Sequence, residues 1–164
     1  MINDEPELFT ITNLATYQAG LIEASSHRNT LKICDEVLNS YELTTMQWLL
    51  IGAIFDSSSN EIRLTDLADK LNTGLPYLTN MINHLEHRSI IKRLNNKRDS
   101  RAKTIILTPK YSKQIPTIEK ELRQQLRNSF YSKVSEKDFA TYLKVMIELA
   151  KPIGLLKDRC LGQD

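Results

Sequence analysis

The chain has 164 residues, of which 41% are hydrophobic and 26% charged, with only 5 glycines and 5 prolines. That length suits one globular domain with long flanks, and that composition excludes collagen-like, low-complexity and wholly disordered chains. The formal net charge of +2 names no partner by itself, because 22 Lys and Arg nearly balance 20 Asp and Glu. Two cysteines, Cys34 and Cys160, are too few for a disulfide scaffold and lack the spacing of a zinc site, which suits a reducing interior. The opening MINDEPELFT is acidic without the charged-then-apolar pattern of a signal peptide, and no apolar run is long enough to span a bilayer, so a cytoplasmic protein is expected.

Apolar side chains at Leu14, Tyr17, Leu21, Ala24, Leu31, Cys34, Leu38 and Tyr41 alternate by threes and fours, which predicts one long helix with a polar interruption at Ser25 to Arg28. Leu43, Thr44 and Thr45 supply the start of a second helix, whose segment Met46 to Phe55 is so apolar that it should be buried on most sides. Ile62, Arg63 and Leu64 suit a short strand, and Thr65 is placed to cap a third helix carrying Leu67, Ala68 and Leu71 on one side. Asn72, Thr73 and Gly74 break that helix, and a fourth begins near Leu75 or Pro76, since proline is tolerated where its missing donor would have no partner. A helix, a three-residue turn with glycine and a second helix make the spacing of a helix-turn-helix.

On the second helix of that unit, Leu75, Leu78, Met81, Ile82 and Leu85 gather on one side at 100° per residue, and Pro76, Asn80, Asn83, His84 and His87 on the other. Ser89 ends the helix, Ile90 to Leu94 makes a strand, and Thr104 to Leu107 makes another, giving a hairpin with a cationic tip. Two further helices follow, one carrying Ile115, Ile118, Leu122, Leu126 and Phe130, and one carrying Phe139, Tyr142, Leu143, Met146, Ile147 and Ala150 after a cap at Ser135. Apolar stripes on helices at both ends of a small unit predict pairing with a second copy.

The charge is concentrated where the hairpin lies: residues 88–103 carry seven basic side chains and one acidic. Duplex DNA is densely anionic, so a protein that grips it must gather Lys and Arg where phosphates pass and present hydrogen-bonding groups from an element slim enough for the major groove. Lys92, Arg93, Lys97, Arg98 and Lys103 are the candidate phosphate contacts, and Arg101 the side chain for a narrow minor groove. Tyr77, Thr79, Asn80, Asn83 and His84, with Pro76 beside them, are the candidates for base edges and adjoining phosphates, and two asparagines suggest an A·T-rich half-site. Asp99 within a basic tip is expected to orient a neighbouring guanidinium, because its own charge repels phosphate.

Residues 43 to 108 resemble the MarR family of winged-helix transcriptional regulators. The segment LTDLADKLNTGLPYLTNMINHLEHRSIIKRLNNKRDSRAKTIILT is similar to that family's helix-turn-helix followed by a wing, with Asp99 and Arg101 in its Asp-x-Arg wing signature and Leu107 and Thr108 closing the wing. The chain departs from the family pattern at Asn80, where a basic residue is common, at Ser89, where a glycine is, and at Asn96 and Lys97, where the family has Asp-Pro. After Thr108 stand Pro109, Lys110 and Tyr111, without the family's glycine. The resemblance implies an obligate homodimer with interleaved terminal helices, each protomer placing one recognition helix in the major groove and one wing in the minor groove of a palindromic operator.

The expected architecture is thus mainly α: an N-terminal dimerisation helix over 1–42, a winged helix-turn-helix with a small β-hairpin wing over 43–108, and C-terminal dimerisation helices over 109–164. The expected function is repression of transcription from a pseudo-palindromic operator, the alternative being a winged-helix adaptor that does not bind DNA. Tyr17, Tyr41, Met46, Trp48 and Phe55 are candidates for lining a small aromatic effector's pocket, against a reading as plain core. His84 and His87 lie three apart, yet no neighbouring carboxylate or cysteine completes a metal site. Cys34 lies on the apolar stripe near the end of the first helix, unlike the reactive cysteine of peroxide-responding relatives, and reads as an inert thiol. No GxSxG, P-loop, HExxH, GxGxxG or paired acid cluster occurs, so neither an enzyme nor a cofactor is expected.

Overall fold

The computed structural model describes residues 15–57, 60–95 and 103–150. Helix α1 (Thr16–Leu38) runs unbroken through the polar stretch at Ser25 to Arg28 and tightens into a single 3-10 turn at Asn39–Tyr41; Leu14 lies outside the described residues. Helix α2 (Thr45–Phe55) starts at a capping box, in which the Thr44 hydroxyl accepts from the Gln47 N–H at 3.2 Å and Gln47 Oε1 accepts from the Thr44 N–H at 3.0 Å. Its Leu50, Ile51, Ala53 and Ile54 are buried, as the apolar run predicts, although Leu49 is half exposed.

Strand β1 (Glu61–Arg63) leads directly into α3 (Leu64–Lys70). Leu64 is helical rather than the end of the strand, and Arg63 is the N-cap, so Thr65 sits within the first turn and not at the cap expected of it. The turn after α3 falls at Asn72, Thr73 and Gly74, as expected. The left-handed residue is Asn72, with φ 46°, and Gly74 has an ordinary φ of −71° as N-cap of α4 (Leu75–His87). Asn72 and Thr73 donate back to the carbonyls of Asp69 and Ala68, each at 3.1 Å, which closes the last turn of α3 as a Schellman motif. Asparagine tolerates this backbone because its short polar side chain bonds locally, so the turn needs no glycine.

Helix α4 ends in the same device. The Ser89 and Ile90 N–H groups reach the carbonyls of Glu86 at 2.9 Å and Leu85 at 3.0 Å, with Ser89 at φ 58°. Strands β2 (Ile91–Asn95) and β3 (Lys103–Leu107) are antiparallel, and β1 pairs with the far side of β3, giving the order β1-β3-β2. Thr108 locks the hairpin base to the end of α4: its hydroxyl donates to the Ser89 carbonyl at 2.9 Å and its N–H to that of Ile90 at 3.0 Å. A short α5 (Pro109–Ser112), not anticipated from the sequence, follows directly.

The core lies among α2, α3, α4 and the sheet. Leu50, Ile54, Leu67, Leu78, Ile82, Leu85, Ile91 and Ile105 are all fully buried there, joined by Leu38 at the end of α1 and Ile118 of α6 (Ile115–Ser129). Helices α1 and α6 pack on each other. Helix α7 (Glu136–Ala150) begins where Ser135 accepts from the Asp138 N–H at 3.2 Å and donates to its carboxylate at 2.6 Å, as the sequence suggests, but none of its residues is buried. No described helix is long and apolar enough to cross a membrane.

Candidate nucleic-acid interface

The amphipathic pattern of α4 sets which side chains can meet a ligand. Leu78, Met81, Ile82 and Leu85 are buried, and the opposite face leaves Pro76, Tyr77, Asn80, Asn83, His84 and His87 exposed, with Thr79 partly covered. Leu75 departs from its expected place on the packed side: it stands at the first position of the helix and is 45% exposed. An apolar residue ahead of the first full turn has no neighbouring element to cover it.

The strands beside α4 carry the expected cations in unequal states. Lys92 and Lys103 are exposed. Arg93 is partly covered and held by the helix: its guanidinium donates to Glu86 Oε2 and to Asn83 Oδ1, and its backbone N–H donates to Glu86 Oε1 at 3.0 Å. Arg88 ties the other side of the helix end to the α1–α2 connection, donating to the carbonyls of Tyr41 and Glu42 and pairing with the Glu42 carboxylate at 3.2 Å. Lys97, Arg98, Asp99 and Arg101 lie outside the described residues, between the paired strand ends Asn95 and Lys103.

Two residues that the sequence did not single out belong to this surface. Arg63 is exposed on β1 and pairs in register with Thr104, next to Lys103. Gln47, only 8% exposed on α2, lies 3.2 Å from His84 Nδ1 through its Nε2. The signal for Gln47 was a polar residue inside an otherwise apolar helix, three positions after a cap threonine.

The residues expected to line an effector pocket are dispersed. Trp48 borders a cleft of about 940 Å³ between α2, α6 and α7 and, with Phe55, a smaller one of about 570 Å³. Tyr17 is 68% exposed on α1, Met46 packs against the core, and the Tyr41 hydroxyl donates to Glu121 on α6 at 2.7 Å, a bond that raises its pKa above the usual range. The larger cleft is lined instead by Trp48, Arg123, Arg127, Tyr131 and Phe139, with Cys34 at its wall. Tyr131 and Phe139 have ring centroids 4.1 Å apart. Burial, then the charges of Asp35 and Glu119, push the Cys34 thiol above its ordinary pKa, which disfavours the reactive thiolate. No group of three His, Cys, Asp or Glu placed to hold a metal occurs among the described residues.

A two-helix unit with an exposed polar second helix, followed by a hairpin bearing cations, defines the winged helix-turn-helix class. Residues 44–103 match the model of the MarR family. By sequence, no curated protein is significantly similar to the chain. Its fold is similar to that of AbsC, a MarR family transcriptional regulator from Streptomyces coelicolor, at 18% identity over 85% of this chain and 96% of that one (TM-score 0.74). Sco3205 from the same organism, solved in complex with DNA, is similar at 17% identity over 95% of both chains (TM-score 0.75). NadR in complex with 4-hydroxyphenylacetate is similar at 23% identity over 88% of this chain and 99% of that one (TM-score 0.66).

Proposed function

We propose that this protein is a sequence-specific DNA-binding transcriptional regulator that represses by occupying a pseudo-palindromic operator as a homodimer. The observation that carries the reading is the exposed row Tyr77, Asn80, Asn83 and His84 on a helix whose other face buries Leu78, Met81, Ile82 and Leu85, beside a hairpin that presents Lys92 and Lys103. That pairing of a polar rod with cationic strands meets both demands of duplex recognition, groove entry and phosphate neutralisation. Arg101 enters the minor groove and Lys97 and Arg98 follow the backbone. The exposed apolar residues of α1 and α7, among them Leu21, Ile22, Val145 and Leu149, support dimerisation through the terminal helices, with 1–42 and 109–164 serving that role and 43–108 the DNA. The arginine-bearing aromatic cleft suits a small aromatic anion, the chemistry of the 4-hydroxyphenylacetate found with NadR, as effector. Such a ligand would act by favouring a spacing of the two recognition helices unlike the roughly 34 Å of one DNA turn.

The test is a mobility shift of fragments of the source genome across a salt series. Binding should weaken steeply with salt, with a slope of roughly 0.9 per neutralised phosphate. Arg101→Ala should lower affinity while leaving the dimer intact; unchanged affinity would remove the wing from the mechanism, and no shift at any salt would remove DNA binding.

A further inference from the structure

Whether an amide or an imidazole reads a base as donor or as acceptor depends on what its other polar atom is bonded to, and the structure settles this for two neighbours on α4. A guanidinium has only N–H donors, so the Asn83 atom that meets Arg93 is its carbonyl oxygen. Arg93 is itself held in place from two directions by Glu86, through the guanidinium and through the backbone N–H at 3.0 Å. The Asn83 amide therefore turns its NH₂ group away from Arg93.

The same logic fixes His84. The Thr44 backbone N–H can only donate, so the Gln47 atom 3.0 Å from it is Oε1, and the capping box of α2 thereby aims Nε2 of Gln47 at His84. An amide NH₂ facing Nδ1 at 3.2 Å needs an unprotonated nitrogen, which puts the imidazole hydrogen on Nε2. His84 is exposed, and no described residue bonds its Nε2.

We infer that Asn83 and His84 form a donor-only reading edge, set by Arg93 and Gln47 from behind, which selects bases presenting acceptors in the major groove. Guanine, with O6 and N7 adjacent, and thymine, with O4, match such an edge. Adenine matches it less well, because it presents N7 alone as an acceptor and its paired recognition by an asparagine needs the amide oxygen, already accepting from Arg93, to accept from N6 as well. This replaces, for Asn83, the adenine pairing that its residue type suggests and leaves Asn80 free to make it. Arg93 and Gln47 are on this account positioning residues for specificity, and the inference rests on the DNA-binding reading above.

Two measurements test it. In the free protein, nitrogen–proton NMR of His84 should report the Nε2–H tautomer; the Nδ1–H tautomer would overturn the His84 half whether or not DNA binds. With DNA, duplexes selected from a randomised pool should carry guanine or thymine where the C-terminal half of α4 reads, and placing adenine there should weaken binding about tenfold. Arg93→Lys keeps the charge and so the salt dependence, but a flexible ammonium lacks the planar fork that holds Glu86 and Asn83 in one geometry, so the penalty against adenine should shrink to roughly threefold or less with folding unchanged by circular dichroism. Adenine preferred by the unaltered protein, or an identical base preference in Arg93→Lys, would overturn the Asn83 half. A protein that selects no duplex at all would instead refute the DNA-binding reading, and with it the base selection, while the tautomer measurement still decides how His84 is held.

Discussion

The winged-helix core and the terminal helices both carry apolar side chains at helical spacing and end in opposite states. Between Leu43 and Leu107 the apolar positions close on one another: Leu50, Ile54, Leu67, Leu78, Ile82 and Leu85 are fully buried. On α1 only Leu38, at its last turn, is buried, and on α7 nothing is, although Leu149 is 65% exposed and Tyr142, Leu143, Val145 and Met146 are each more than 40% exposed. The core satisfies its own hydrophobic demand within one chain, and the ends do not. Apolar area left in water on two helices at opposite ends of the sequence is the form in which a fold states a requirement for something to cover it.

The largest way to sharpen this contrast is to damage the self-sufficient half. Ile82→Ala removes a fully buried side chain at the contact of α4 with the core and should cost about 2–5 kcal/mol in denaturant unfolding. A loss under about 1 kcal/mol would mean that the core relaxes around the void as a loosely packed region does. Next, Met146→Lys together with Leu149→Lys alters only exposed positions of α7. If a second copy covers this face, light scattering should show the dimer converted to monomer, with the melting temperature no longer rising with protein concentration. A monomeric parent protein would break the comparison at its root.

Smaller effects test the joints. Ser89 holds a left-handed backbone at φ 58° that glycine adopts without a Cβ penalty, so Ser89→Gly should stabilise the fold by about 1 kcal/mol in the same denaturant series. A neutral or negative change would show that the serine side chain contributes more than its backbone costs. Smallest is the alkaline response. Burial is the leading cause that raises the pKa of Cys34, Tyr111 and Tyr131 in the folded chain above their ordinary values of 9.0 and 10.0. The unfolded chain then loses these protons first, so their contribution to stability is intact below pH 9 and declines as pH rises beyond the ordinary values. The melting temperature should fall from about pH 9 upward, and Cys34→Ala should blunt the first part of that fall.

Much of the architecture was legible because the patterns that signal it are local. Thr44 caps a helix within the start that Leu43 to Thr45 predict, Ser135 reads as a cap and acts as one, Pro76 stands in the first turn of α4, and the three-and-four spacing of Leu78, Met81, Ile82 and Leu85 marks its buried face. Where reading failed, a local rule had two ways of being met. The break at Asn72, Thr73 and Gly74 is legible in the sequence, but which of them takes the left-handed backbone stays open there, because either Asn or Gly tolerates it and only the hydrogen bonds to Asp69 and Ala68 choose Asn72. Thr65 carries a capping side chain but lies one residue inside a helix that starts directly from β1. Leu75 fits the apolar face by angle and lies where no element covers it.

The candidate interface divides in the same way. The amino-acid sequence alone determined which residues face outward on α4 and that the positive charge gathers around the hairpin, since helical periodicity and charge order are properties of the chain itself. Only the tertiary structure decided what those outward residues can do: Arg93 is drawn onto Glu86 and Asn83, and Gln47, from a helix remote in sequence, meets His84. A hydrogen bond between distant positions depends on how elements pack, and packing is a collective outcome of the buried core that no window of sequence contains.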